Sequence, residues 1–374
     1  MRQALGRFVR AVSSAALIVA CGPPGTTSPT GSPASPGPPA ASPDSPTATE
    51  ARELVLMTHD SFALSEEVLA TFEREHGVGV RVLKAGDAGA MVNQAILSRE
   101  HPLADVLFGV DNTFLSRALD ADIFVPYEAA GLGTVPDELE LDARRRVTPI
   151  DHGDVCLNYD RAVYSDDSPT PPPASLDDLA DPAYRGALVV QDPSTSSPGL
   201  AFLLATVATF GEDDDGWRGF WSTLRDNEVL VTSSWEDAYY GRFSGGSGEG
   251  DRPIVVSYAS SPAAEVAFAE EETQAPPTAA VLDGCFRQVE FAGVLAGTDA
   301  EPQARAFIDF LLSRPVQEDI PLNMFVYPAN ADAALPDVFT EHAPLPTRPL
   351  TMPVDAIGQG RERWIREWIE TVLR

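Results

Sequence analysis

Carboxylates recur in this chain where short apolar runs end. Asp60 and Ser61 follow residues 53–58, Asp87 follows 78–84, and Asp111 and Asn112 follow 105–110. Asp151 and Asp154 stand at a later turning point of the chain. Loops after the strands of a parallel sheet are where ligands bind. Carboxylates gathered there favour a cation, although each one alone also reads as a cap or turn residue. Aromatic residues form a second set. Trp235 opens a helix, Tyr258 ends the run 254–258, and Phe325 and Tyr327 lie in a loop after a helix. An aromatic face holds a planar cation by roughly 0.5–2 kcal/mol. The same rings serve equally as packing between two lobes.

Thr195-Ser196-Ser197-Pro198-Gly199 carries a third signal. Ser197 before Pro198 reads as an N-cap followed by Pro at the first helical position. The free N–H groups of such a helix start suit a phosphate, and a plain cap explains the spacing as well. For catalysis there is little. The five histidines, His59, His76, His101, His152 and His342, form no HExxH motif, and the cysteines form no close pair, so no metal site is expected. No G-x-S-x-G elbow is present. His59-Asp60-Ser61 holds triad residue types, but neighbours on an extended chain point alternate ways and form no relay. Neither a catalytic residue nor a cofactor is expected.

The elements that must position these residues alternate. Strands are predicted at 53–58, 78–84 and 105–110. Helices follow them, with Ser65 as an N-cap and Gly77 as a stop for the first, then 90–99 and 112–119. This order implies an α/β protein with a largely parallel sheet and helices on both faces. A second set follows, with strands at 155–159, 187–191, 254–258 and 287–295. Helices are predicted at 198–210, 217–225, 235–243, 303–312 and 359–373. Crossovers near 147–151 and 285–290 predict two hinged lobes: 51–148 with 287–330, and 149–286. Residues 331–374 form a C-terminal extension packed on the lobes. The glycine-rich loop 245–250 follows a helix and precedes a strand, the reverse of a phosphate-cradling loop.

The N-terminus is of another kind. Arg2, Arg7 and Arg10 precede an apolar run that ends at Ala20-Cys21. The run is far shorter than the roughly 20 residues that span a bilayer, and it reads as a signal peptide over 1–20. Small Ala20 before Cys21, and the Pro/Ser/Thr-rich stretch over 21–50, resemble a bacterial lipoprotein signal with Cys21 as the lipidated residue and a disordered tether behind it. The chain is then expected outside the cytoplasmic membrane, held by the lipid alone. If Cys21 carries lipid, Cys156 and Cys285 remain as a pair, which in an oxidising compartment reads first as one disulfide. The formal charge of −30 argues against nucleic acid as a partner.

Several stretches match one family in order: Thr58-His59-Asp60-Ser61-Phe62, residues 104–112, residues 191–200, Trp235-Glu236-Asp237-Ala238-Tyr239, residues 257–262 and Tyr327-Pro328. Together they resemble the thiamine-binding substrate-binding proteins of bacterial ABC importers. The resemblance implies a two-lobe, type II periplasmic-binding-protein fold with a ligand cleft between the lobes. It implies a monomer that captures thiamine or its phosphates and delivers them to a permease and its ATPase. It makes Trp235 and Tyr258 stacking positions, with Tyr239 in the same motif. Ser196, Ser197 and Gly199 receive the hydroxyl or phosphate end, and His59, Asp60, Ser61, Asp87, Asp111, Asn112, Asp154, Phe325 and Tyr327 complete the ligand set. The family often has Tyr where His59 stands and Trp where Phe325 stands. These departures leave room for another organic cation, such as a polyamine. Thiamine-degrading enzymes of the Cys type share the fold, and Cys156 is the nucleophile such an enzyme would use.

Overall fold

The computed structural model describes residues 53–165, 167–213, 216–269 and 275–374. The leader, Cys21 and the tether lie outside the described residues. The first half alternates β1 (Glu53–Thr58), α1 (Glu66–His76), β2 (Gly79–Lys84), α2 (Ala88–Leu97), β3 (Val106–Asp111), α3 (Leu115–Asp120) and β4 (Phe124–Val125). Then come β5 (Thr148–Asp160), β6 (Leu188–Gln191), α4 (Ser197–Phe210), α5 (Trp217–Asp226) and β7 (Leu230–Thr232). A π-helical turn (Asp237–Arg242), β8 (Ile254–Tyr258), α6 (Ser261–Ala267) and β9 (Thr278–Leu295) follow. The chain ends with α7 (Glu301–Leu311), α8 (Arg314–Asn323), β10 (Tyr327–Pro328), α9 (Asp337–His342) and α10 (Val354–Val372).

Local chemistry accounts for the helix boundaries. Ser65 caps α1 by accepting from the Val68 N–H, Glu66 and Glu67 occupy its first turn, and Gly77 ends it at φ 64°. Asp87 caps α2, which starts at Ala88, two residues before its expected position, and accepts from the Ala88 N–H. α3 begins at Leu115, not at 112, because Asn112 is engaged elsewhere. Its amide donates to the Arg287 carbonyl and accepts from the Val289 N–H, which extends the pairing of β9. α4 is capped by Ser196, one residue earlier than expected, and Ser197 is its first helical residue.

The strands form one sheet in the order β2-β1-β3-β9-β5-β8-β6-β7, with β10 on β5 and β4 on β9. It is mixed, which corrects the expectation of a largely parallel sheet. β1 pairs parallel with β2 and β3, and β6 with β7 and β8, but every pairing of β5 and β9 is antiparallel. Those two strands are also longer than their apolar cores at 155–159 and 287–295. Polar residues such as Asp151, His152, Asp154 and Gln288 interrupt the apolar pattern. Backbone pairing still runs through them, with irregularities at Pro149/Asp151 and Val155/Leu157. The segments read as crossovers are therefore parts of two long strands, 147–151 at the start of β5 and 285–290 in the middle of β9.

The core lies between this sheet and its helices. Phe72 of α1 meets Phe307 of α7 edge-on at 4.9 Å. Trp368 of α10 meets Trp221 of α5 at 5.5 Å, and both are fully buried. α10 starts five residues before its expected position, directly after Pro353, and buries Trp364 and Trp368.

Candidate ligand-binding cleft

β3, β9 and β5 are neighbours, and their register sets Asp111 opposite Glu290 and Glu290 opposite Asp151. Directly opposed residues share a face of the sheet. Three carboxyl side chains therefore stand in one row, at 0%, 7% and 0% exposure respectively. Asp111 is held by the Thr113 N–H (2.8 Å), the Thr113 hydroxyl (2.6 Å) and the Ser197 hydroxyl. Neither oxygen of Asp151 makes a well-formed hydrogen bond. His59, just past β1, brings its Nε2 to 3.5 Å from Glu290 Oε2. Gly109 lets the ring in: it has φ +97°, and a Cβ there would fall 2.2 Å from His59 Cδ2.

Burial and the row together shift the groups around it. Burial, then the nearby Glu290 carboxylate, pushes Asp111 up to about 6, against the hydrogen bonds from Ser197 and Thr113. Burial and the charges of Glu290 and Asp111 push Asp151 well above the usual carboxylate range. Burial opposes charge on His59, yet Glu290, Asp87 and Asp111 outweigh it, and the ring is held above its ordinary value. Asp87 is raised by burial, in spite of donors from Ala88, Ser196 and Trp235. The Tyr258 phenol is raised by burial and by the charges of Glu290, Asp111 and Asp87.

Aromatic rings border the row. The Tyr258 hydroxyl accepts from the Gln288 amide at 3.1 Å, and the same amide reaches Glu290 at 3.4 Å. Gly153 makes room for Tyr258, since a Cβ there would lie 2.8 Å from the ring. Trp235 is only partly buried. It stacks on Tyr239 at 5.1 Å and 19°, and its Nε1 donates to the Ser257 hydroxyl at 2.9 Å. Tyr239 is itself buried and donates to Glu265 at 2.8 Å, so it backs the Trp235 ring.

Contacts cross between the two halves of the sheet. Ser197 donates to Asp111, the Gly89 N–H donates to the Thr195 carbonyl at 3.0 Å, and the Trp235 N–H reaches Asp87 at 3.4 Å. Ser196 is fully buried at the start of α4. Gly199 is required by packing, because a Cβ there would lie 2.5 Å from the Gln191 carbonyl oxygen. His59, Asp87, Asp111, Ser196, Ser197, Trp235 and Tyr258 thus come together where the two halves of the sheet meet.

The remaining expected residues are placed differently. Asp154 is taken up by a two-pronged ion pair with Arg287, at 2.7 and 3.1 Å. Asn112 is occupied with β9. Asp60 and Ser61 are exposed, and Asp60 accepts from the Gly86 N–H. Phe325 packs edge-on against Phe268 and joins a cluster with Tyr327, Ala263, Phe339 and Ala343. Tyr327 stacks on His152 at 5.6 Å, and its hydroxyl donates to the Ala343 carbonyl. Cys156 and Cys285 are joined as a disulfide between β5 and β9. A cavity of ≈ 740 Å³ opens beside Tyr159, Tyr164 and Pro277, away from the carboxylate row. Among the described residues, no group of three or more His, Cys, Asp or Glu is arranged to hold a metal ion. None of their helices is long and apolar enough to cross a membrane.

Sequence reasoning missed Glu290 and Gln288. Both lie inside a strand pattern, and only register brings them opposite Asp111, Asp151 and Gly153. Asp151 stands at a turning point of the sequence, but its place inside β5 opposite Glu290 comes only from strand pairing.

This geometry, a mixed sheet threaded by two long strands with polar groups gathered where its halves meet, defines a two-lobe binding protein. The chain belongs to the bacterial extracellular solute-binding protein family, whose model matches residues 101–347. It is similar to the thiamine-binding periplasmic protein of Brucella melitensis, 29% identical over 338 residues, covering 88% of this chain and 95% of the relative. A protein of the same description from Escherichia coli is 30% identical over 326 residues, covering 86% and 94%. Among solved structures, a periplasmic thiamin binding protein superposes with a TM-score of 0.76 at 27% identity, covering 88% of this chain and 99% of the other. Iron-bound HitA from Pseudomonas aeruginosa, at 18% identity and a TM-score of 0.67, shares the fold. The fold is thus the two-lobe periplasmic-binding-protein type, and the chain is a solute-binding protein and not an enzyme.

Proposed function

We propose that this protein captures thiamine or a thiamine phosphate outside the cytoplasmic membrane and delivers it to an ABC permease and its ATPase. The observation that carries the reading is similarity to thiamine-binding proteins over nearly the whole of both chains. The cleft chemistry supports it. Thiamine carries a permanent thiazolium charge beside a flat pyrimidine, and the cleft offers buried carboxyl groups beside the rings of Trp235 and Tyr258. The start of α4, with Ser196 and Ser197, is suited to the hydroxyl or phosphate end. We further propose that Cys21 bears the lipid, that 21–50 act as a leash keeping a monomeric receptor near its permease, and that the lobes divide at 148/149 and 286/287.

A second reading, another organic cation such as a polyamine, is favoured by the carboxylate row itself, which recognises charge without recognising a ring. Calorimetry on the purified chain separates the two. Thiamine is expected to bind at micromolar Kd or better, about −8 kcal/mol. Binding of thiamine no tighter than about 1 mM, with spermidine bound more tightly, overturns the thiamine reading.

A further inference from the structure

We propose that the buried row Asp111–Glu290–Asp151, with the His59 ring at its edge, is the counter-charge for the cationic ligand and exchanges protons for it. The proposal rests on the function proposed above and adds a proton to each capture event.

Like charges directly opposite each other destabilise a strand pair, and here two such pairs share Glu290. The protein does not neutralise the row from within. His59 approaches Glu290 alone, at 3.5 Å. Arg361 of α10 lies over the Phe114 ring at 5.7 Å and is paired with Glu362, although its charge is felt at Asp111. Asp87 and the Tyr258 phenol also face the row, and neither brings positive charge. Two buried polar groups in the cluster lack a well-formed hydrogen bond and lean on Glu290, itself acidic: the Asp151 carboxyl, at 0% exposure, and His59 Nε2, on a side chain at 9%. A local rule broken without compensation inside the fold marks a place that something else completes.

Without ligand, protons hold the row together. Asp111 titrates near 6, Asp151 is raised well above its ordinary value, and the His59 ring keeps its proton above the usual range. A fixed cation arriving in this low-dielectric space favours the ionised carboxylates and opposes the imidazolium. Protons therefore leave to solvent as the cation enters. Release on binding makes affinity rise with pH, by up to about tenfold per pH unit for each proton released. The window opens around Asp111 near 6 and extends upward through Asp151 and His59, both held above their ordinary values.

The test is calorimetry of the purified full chain with thiamine in buffers of different ionisation enthalpy. Measured between about pH 6.5 and 7.5, it lies above the range where the ligand's own pyrimidine takes up a proton. The expected result is a binding heat that varies with the buffer, in the sense of proton release. Affinity should fall severalfold toward the acid end. D151N, checked for folding by circular dichroism, should release fewer protons and bind more weakly. Thiamine binding with no net proton transfer and a flat pH profile overturns the inference and leaves the proposed function standing. A folded D151N with the full proton count and unchanged affinity also overturns it. Absence of thiamine binding overturns the function reading and this inference with it. The wild-type measurement decides the matter even if D151N does not fold.

Discussion

Gly109 shows how one absent side chain places another. Its positive φ and the irregular register around it bend β3, and the space where a Cβ would stand belongs to the His59 ring. Gly109→Ala is therefore expected to cost about 1–3 kcal/mol of stability, from a conformation that L side chains rarely adopt and from a direct clash. It should also push His59 away from Glu290 and alter ligand affinity. Urea unfolding with parallel calorimetry reads both effects, and an unchanged unfolding midpoint would contradict the steric account. Single residues were legible to different degrees. Trp235 is recognisable because a large ring at a helix edge is a poor core residue, and it keeps a partly open face. Phe325 and Tyr327 carry the same kind of signal but are drawn into a packed cluster by Phe339 and Ala343, which are distant enough in sequence to be invisible locally.

β5 and β9 carry the architecture. Each runs through both halves of the sheet, and the pairing between them brings the row of carboxyl groups to its centre. The disulfide joins the same two strands across a sequence separation of 129 residues. It ties the pair next to the cleft and leaves neither Cys156 nor Cys285 as a free thiol. Replacing both cysteines with Ala is expected to lower stability by about 2–5 kcal/mol, because the unfolded chain regains the freedom of a long loop. A shift of the urea midpoint, matched by adding reductant to the wild type, is the measurement. No difference between the two proteins would show that strand pairing alone holds β5 to β9. At this scale helix starts were well signalled by Ser65 and by the Pro198 region, to within a residue or two. The lengths of β5 and β9 were not, because polar site residues interrupt the alternation from which a strand is read.

Across the whole molecule, hydrogen bonds link the two halves of the sheet. Ser197 to Asp111, Gly89 to Thr195 and Trp235 to Asp87 span the two halves, and a hinged opening of the halves around a ligand would break such contacts. Ser197→Ala removes a hydrogen bond to a buried carboxyl group, worth about 1.5–3 kcal/mol. The variant should keep its fold and release thiamine roughly tenfold faster or more, followed by stopped-flow tryptophan fluorescence. An unchanged dissociation rate would mean that Ser197 does not hold the lobes together. The amino-acid sequence by itself determined the α/β class, the early β-α alternation, the gathering of carboxylates at strand ends and the pairing expected of two cysteines. Those follow from local chemistry: apolar periodicity, caps, composition and count. Tertiary structure alone decided that the sheet is mixed, that Asp154 serves Arg287, and that Asp111, Glu290 and Asp151 form one row. The reason is physical. Strand register joins residues more than a hundred positions apart, and no local pattern encodes which of them will stand opposite one another.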